Sequence, residues 1–239
     1  MQLFDIEGAL SAFDQKQFKL EVYQTLKAGK EAQVLLVKHD NTLLALKVYK
    51  NHLLRSFKKT DIYMAGKYIK KQSHRRAVLQ KNEFGEQYIQ DTWIMREFHL
   101  LQKIYSLNAT IPQPFEAVTN AILMEYIGVD DSPAPKLTDV QLDQDLAQSA
   151  FDSIMNDMKR FLQAGIVHSD LSPFNILWWN NLPYIIDFPQ AVDIRTNPNS
   201  EAMLRRDIHN ISTYFTKHFP VNEDDIFLQL NAFHGHSLF

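Results

Sequence analysis

Cysteine is absent from all 239 residues, which excludes disulfides and thiolate metal sites and permits a reducing compartment. Neither sign of charge dominates. A formal net charge of -3 provides no global basic field for non-specific nucleic-acid binding, so any such contact would have to be local. Nowhere does the chain approach ~20 uninterrupted apolar residues. The N-terminal MQLFDIEGALSAFDQKQF carries acids where a signal peptide needs basic residues and then an apolar run. Internal repeats and low-complexity tracts are also missing. A soluble, cytoplasmic protein with no membrane contact is expected. What is present is 45% hydrophobic and 12% aromatic residues, enough to bury a sizeable core in one compact domain.

Between Leu20 and Tyr49 the runs EVYQTL, AQVLLV and TLLALKVY are separated by KAGKE and KHDN, predicting three antiparallel strands joined by tight turns. Residues 55–81 then hold nine Lys or Arg against the single acid Asp61, a local charge of +8. Such a run is usually a solvated face, and it is also the one stretch suited to RNA or a ribosomal particle. Thr92 to Leu107 has apolar residues at a helical period, and Glu97 lies within it. IPQPFEAV enters a strand, and AILMEYIGVDDSPAP is a buried strand leading into an irregular connector. Asp145 to Ala164 is a second helix with Gly165 as its C′ residue. Two further helices are expected at Glu201 to Lys217 and near Glu223 to Phe233.

GIVHSDLSPFNILWWNNLPYIIDFPQ, residues 165–190, sets polar groups between apolar runs. An ionised carboxylate unpaired there would cost several kcal/mol. Asp170, Asn175 and Asp187 therefore need protein partners or a hard cation such as Mg²⁺, which takes a few carboxylate or amide oxygens and keeps water or phosphate in its other positions. Asp170 and Asn175 have the Asp-x-x-x-x-Asn interval of a kinase catalytic loop, and Asp187 follows twelve residues later at a strand end. Upstream, ALKVYK puts Lys47 where kinases place the lysine of V-A-I-K, with Glu97 on the next helix as its ion-pair partner. Taken singly, Lys47 could be a snorkelling strand lysine and His168 a satisfied core histidine. Trp178 and Trp179 suit packing at a hairpin.

Together, KAGKEAQVLLV, FKKTDIY, WIMREF, ATIPQPFEAVTNAILMEYIG, PAP, HSDLSPFNIL, IIDFPQAV and RRDIHNI resemble the RIO kinases, a family of atypical serine/threonine protein kinases. IDFPQAVDIRTNPN is most similar to the bacterial RIO proteins. The resemblance implies an α+β, bilobal kinase-like fold in one RIO-type domain over 1–239, with a β-rich N-lobe (1–124) and a mainly helical C-lobe (125–239). It also implies binding of ATP with Mg²⁺, or Mn²⁺ in its place. By matching position, Lys47 would meet the nucleotide phosphates and Glu97 would hold that lysine. Asp170 would be the catalytic aspartate, Asn175 and Asp187 the metal ligands, and Asp187 could itself accept phosphate. Ala28, Gly29, Lys30 and Glu31 would cover the triphosphate through backbone N–H groups. Met124 would be the gatekeeper, and Glu125 and Ile127 would offer hinge backbone to adenine.

Departures from ordinary kinases shape the expected activity. Gly29 is the only glycine of the phosphate loop, Ser172 replaces a lysine, and neither an A-P-E motif nor a long activation loop follows Asp187. A protein kinase acting mainly as an ATPase with autophosphorylation fits these features, its protein acceptor unspecified. The alternatives are a small-molecule phosphotransferase of the aminoglycoside or choline kinase type and a ribosome- or RNA-binding module using 55–81.

Overall fold

The computed structural model describes residues 4–50 and 83–233, with side chains described over 4–50 and 92–232. The basic stretch 55–81 lies outside the described residues. Two compact units divide the chain, one holding the described residues up to His99 together with Pro114–Tyr126, the other Leu100–Gln113 and Ile127 onward.

The first unit is built on a five-stranded sheet. Three strands, β1 (Glu21–Ala28), β2 (Ala32–His39) and β3 (Thr42–Tyr49), follow the predicted hairpins. Two more, β4 (Pro114–Val118) and β5 (Ala121–Glu125), extend it in the order β1-β2-β3-β5-β4, every neighbouring pair antiparallel. The turn at Asp40, with φ 53°, uses a residue type that tolerates the left-handed region. Helix α1 (Ile6–Gln15) is an element the sequence reading did not anticipate. Asp5 caps it, its carboxylate accepting from the Gly8 N–H at 2.9 Å. Ala9 and Phe13 are fully buried and cluster with Leu35, Val37, Leu46 and Leu123 of the sheet. The long helix α2 (Glu83–Ser106) begins nine residues before the predicted Thr92, because the predicted start followed the apolar stripe, whereas helical backbone can continue into polar sequence.

Within the second unit, residues 100–113 are pinned by Lys103 Nζ donating to the Ala164 carbonyl at 2.6 Å, the Thr110 N–H to Asp157 Oδ1 at 3.0 Å, and the Ile185 N–H to the Thr110 carbonyl at 2.9 Å. Two short strands, β6 (Gly128–Val129) and β7 (Ser132–Pro133), pair in the connector. Helix α3 (Gln144–Gln163) is capped by Asp143 and ends at Gly165, whose φ of 77° demands the freedom of glycine. The strands β8 (Ile166–Val167) and β11 (Val192–Asp193) bracket the hairpin of β9 (Ile176–Trp179) and β10 (Leu182–Ile185). Trp178 is buried and Trp179 half-buried on alternate faces of β9, consistent with packing. Helices α4 (Ser200–Phe215) and α5 (Glu223–Phe233) complete the unit. Its core includes Ile154, Met158, Phe161, Leu204, Ile211 and Phe215. Among the described residues, no helix is long and apolar enough to cross a membrane.

Candidate active site

Alternation along β3 puts Lys47 and Tyr49 on one face, and helical spacing puts Trp93 and Glu97 on one face of α2. These faces meet. Lys47 Nζ donates to Glu97 Oε1 at 3.1 Å, with the two side chains only 11% and 4% exposed. The other oxygen is also engaged: the Tyr49 hydroxyl donates to Glu97 Oε2 at 2.7 Å. Tyr49 is 1% exposed, its ring lies 5.2 Å from Lys47 Nζ, and Trp93 meets it edge-on at 5.1 Å. Burial, reinforced by the Glu97 charge, holds the Tyr49 hydroxyl well above its usual pKa despite Lys47, so it stays a proton donor. Tyr49 was not among the predicted site residues. Its signal was its two-residue spacing from Lys47.

Ala28 ends β1, and Gly29, Lys30 and Glu31 form the turn to β2, all four exposed. The Gly29 N–H donates to the Ala32 carbonyl and the Lys50 N–H to the Glu31 carbonyl, both at 2.9 Å. A Cβ at Gly29 would come within 3.0 Å of the Ala32 oxygen, so this turn favours glycine for its close backbone approach. Met124 and Glu125 end β5 in the first unit. Ile127 is buried in the second, its carbonyl accepting from the Ala134 N–H at 2.9 Å.

The second unit carries Asp170, Asn175 and Asp187. The Asn175 Nδ2 donates to the Asp170 carbonyl at 2.9 Å and to its Oδ2 at 3.3 Å. The Ile186 N–H donates to the Asn175 carbonyl at 2.9 Å, tying the residue before Asp187 to the same loop. Asp187 itself has φ 73°, a costly conformation for a non-glycine residue that the surrounding structure must impose. With Nδ2 committed to Asp170, Asn175 Oδ1 is the atom suited to a cation. One amide and one carboxylate oxygen fit Mg²⁺, which draws its remaining ligands from phosphate and water. Among the described residues, no three His, Asp or Glu side chains group as a metal site.

Helix α4 holds the loop around Asp170 by its backbone. Asp207 accepts from the Ser169 N–H at 2.7 Å and the Leu171 N–H at 3.0 Å. Arg206 donates to the Ser169 carbonyl, and Asn210 Nδ2 to the Leu171 carbonyl at 3.0 Å. Four backbone groups flanking Asp170 are thereby fixed while its side chain stays exposed. Ser169, at φ 64°, also donates its hydroxyl to the Gln190 carbonyl. Burial pushes the Asp207 carboxyl up to about 7, against the two N–H bonds and the Arg206 charge, with the nearby Asp170 charge raising it further. RRDIHNI contributes to the family resemblance, but only the fold brings Arg206, Asp207 and Asn210 against the loop around Asp170.

His168 is 2% exposed. Its Nδ1 accepts from the Asp170 N–H at 3.3 Å, leaving Nε2–H to donate to the Ile186 carbonyl at 3.2 Å. With the Phe188 ring at 4.6 Å, this histidine bridges the two segments as a core residue.

Residues 22–226 match the family model RIO1, described as RIO domain. The human serine/threonine-protein kinase RIO1 is 31% identical over 200 residues, covering 83% of this chain and 34% of that protein. The RIO-type serine/threonine-protein kinase Rio1 of Thermoplasma acidophilum is 36% identical over 126 residues, 53% of this chain and 64% of that one. The chain thus spans between a third and just under two thirds of these relatives. In fold it is similar to the Rio2 kinase-ADP/Mg²⁺-phosphoaspartate complex from Chaetomium thermophilum, with TM-score 0.61 and 20% identity over 91% of this chain and 64% of that one; the two share a kinase-like fold. Matched by its family model over most of its length, the chain belongs to the RIO domain family.

Proposed function

We propose that this protein catalyses ATP- and Mg²⁺-dependent phosphoryl transfer as a RIO-type serine/threonine kinase of the bacterial kind, working mainly as an ATPase with autophosphorylation. The observation that carries this reading is the buried Lys47–Glu97 ion pair. Such a pair does little for stability relative to apolar packing, whereas a lysine held by a glutamate is what a phosphate-binding site requires.

Lys47 meets the phosphates, and Ala28 to Glu31 offer backbone N–H groups to them. Met124, Glu125 and Ile127 take the adenine side. Asn175 Oδ1 and Asp187 hold the Mg²⁺, which offsets charge on the phosphoryl oxygens when bound. Asp170, exposed on a loop clamped from α4, orients the attacking hydroxyl or water and receives its proton. Autophosphorylation fits Asp187 as an acceptor, since the related Rio2 structure is described as a phosphoaspartate complex.

The test is turnover of γ-labelled ATP with and without Mg²⁺, resolving free phosphate, protein-bound label and labelled aminoglycoside or choline. Phosphate and protein-bound label are expected in wild type, with Asp170→Ala retaining nucleotide binding but losing turnover by about 10³-fold or more. Label on the small acceptors instead would identify a small-molecule phosphotransferase, and undiminished turnover in Asp170→Ala would overturn the assignment.

A further inference from the structure

Both oxygens of Glu97 are buried, and each has a different donor. Lys47 takes Oε1 and the Tyr49 hydroxyl takes Oε2. A carboxylate with one oxygen engaged can rotate about its last torsion, or turn its second oxygen to the lysine. With both engaged, the plane of the group is set. A buried carboxylate oxygen without a donor also carries a desolvation penalty, which would favour repositioning of Glu97 and loosen its hold on Lys47.

We propose that Tyr49 is a positioning residue for nucleotide binding: its hydroxyl fixes the Glu97 carboxylate and thereby aims Lys47 at the phosphates. This rests on the reading of Lys47 as the phosphate-binding lysine. Trp93 supports the arrangement by meeting the Tyr49 ring edge-on, restricting the ring from one side while the hydroxyl is held at its tip. A second contribution comes from the ring itself, 5.2 Å from Lys47 Nζ, within range of a cation–π attraction. The hydroxyl and the ring face can be separated experimentally, because phenylalanine keeps the ring.

The experiment compares Mg·ATP dissociation constants in wild type, Tyr49→Phe, Lys47→Ala and the double variant, with thermal melting as the control for folding. Tyr49→Phe is expected to weaken binding by about tenfold, the scale of a hydrogen bond to a charged group. In the Lys47→Ala background the same change should have no further effect, since the residue it aims is gone. Wild-type affinity in Tyr49→Phe beside a weakened Lys47→Ala overturns the inference alone. A full tenfold loss added on top of Lys47→Ala also overturns it, as that is what a merely structural role would give. Unchanged binding in Lys47→Ala instead overturns the phosphate-lysine reading beneath it. Should Tyr49→Phe fail to fold, the fluorine resonance of Tyr49→3-fluorotyrosine provides the readout. It should move with Mg·ATP in the wild-type background and stay still in Lys47→Ala, and indifference to nucleotide in both overturns the proposal.

Discussion

Asp207 is almost wholly buried yet accepts two backbone N–H bonds, and the balance leaves its carboxyl near 7 instead of the usual 3.8. The folded protein therefore keeps a proton between about pH 4 and 7 that the unfolded chain releases. With more protons bound in the folded state, stability falls as pH rises through that window and levels off above it. The slope from this group reaches at most about 1.4 kcal/mol per pH unit. Asp157, raised in the same direction by burial, adds to the trend, so the difference between wild type and variant is what isolates Asp207. In Asp207→Asn, melting followed from pH 4.5 to 7.5 should show a flatter profile. The Asn should also cost about 1–3 kcal/mol at low pH, because its amide NH₂ would face a backbone donor. An identical pH profile in the two proteins would mean that Asp207 does not titrate in this range.

Helix α4 acts on the loop around Asp170 through that loop's backbone. Arg206, Asp207 and Asn210 lie within about one turn of α4 and hold the backbone on both sides of Asp170. Asn210→Ala removes only the bond to the Leu171 carbonyl and should cost about 1 kcal/mol of stability. Its larger expected effect is on turnover, falling about tenfold at unchanged ATP affinity, because under the proposed function the Asp170 carboxylate that it positions acts in the chemical step. A loss confined to affinity would place Asn210 elsewhere in the mechanism. Helix α1 contributes differently, by burial: Phe13 is wholly enclosed against the first unit's sheet. Truncation in Phe13→Ala should destabilise that unit by about 3–5 kcal/mol, read as a lower denaturation midpoint. The sequence pattern revealed the α2 stripe and the α3 periodicity, but α1 has a short apolar face and α4 offered no sign of its partners. Its key bonds span 36 to 39 residues of sequence, a separation no local period encodes.

At the scale of the whole molecule, ligand binding and stability are linked. A nucleotide that binds only the folded chain raises stability by about 2.7 kcal/mol at a hundredfold excess over its dissociation constant. For a chain of this size that corresponds to roughly 5–10 °C in melting temperature. Mg·ATP is therefore expected to raise the melting temperature by that amount, with chelation of the metal removing most of the shift. In Asp187→Ala the response to metal should disappear. An equal shift with and without Mg²⁺ in the wild type would argue against Asn175 and Asp187 as metal ligands.

The sequence by itself named the candidates for chemistry and most of the longer strands and helices, α1 excepted. Those properties are local: the Asp170 to Asn175 interval, the turn residues between β1, β2 and β3, and the glycine that closes α3 are written within a few residues of where they act. The match of one family over residues 22–226 agrees with what those motifs spelled out. Only the tertiary structure decided that β5 lies between β3 and β4, that Tyr49 closes the second oxygen of Glu97, and that α4 grips the backbone around Asp170. Each of these joins groups distant in sequence, and burial determines the outcome. Once a carboxylate leaves water, the donor that meets each of its oxygens is chosen by packing in three dimensions.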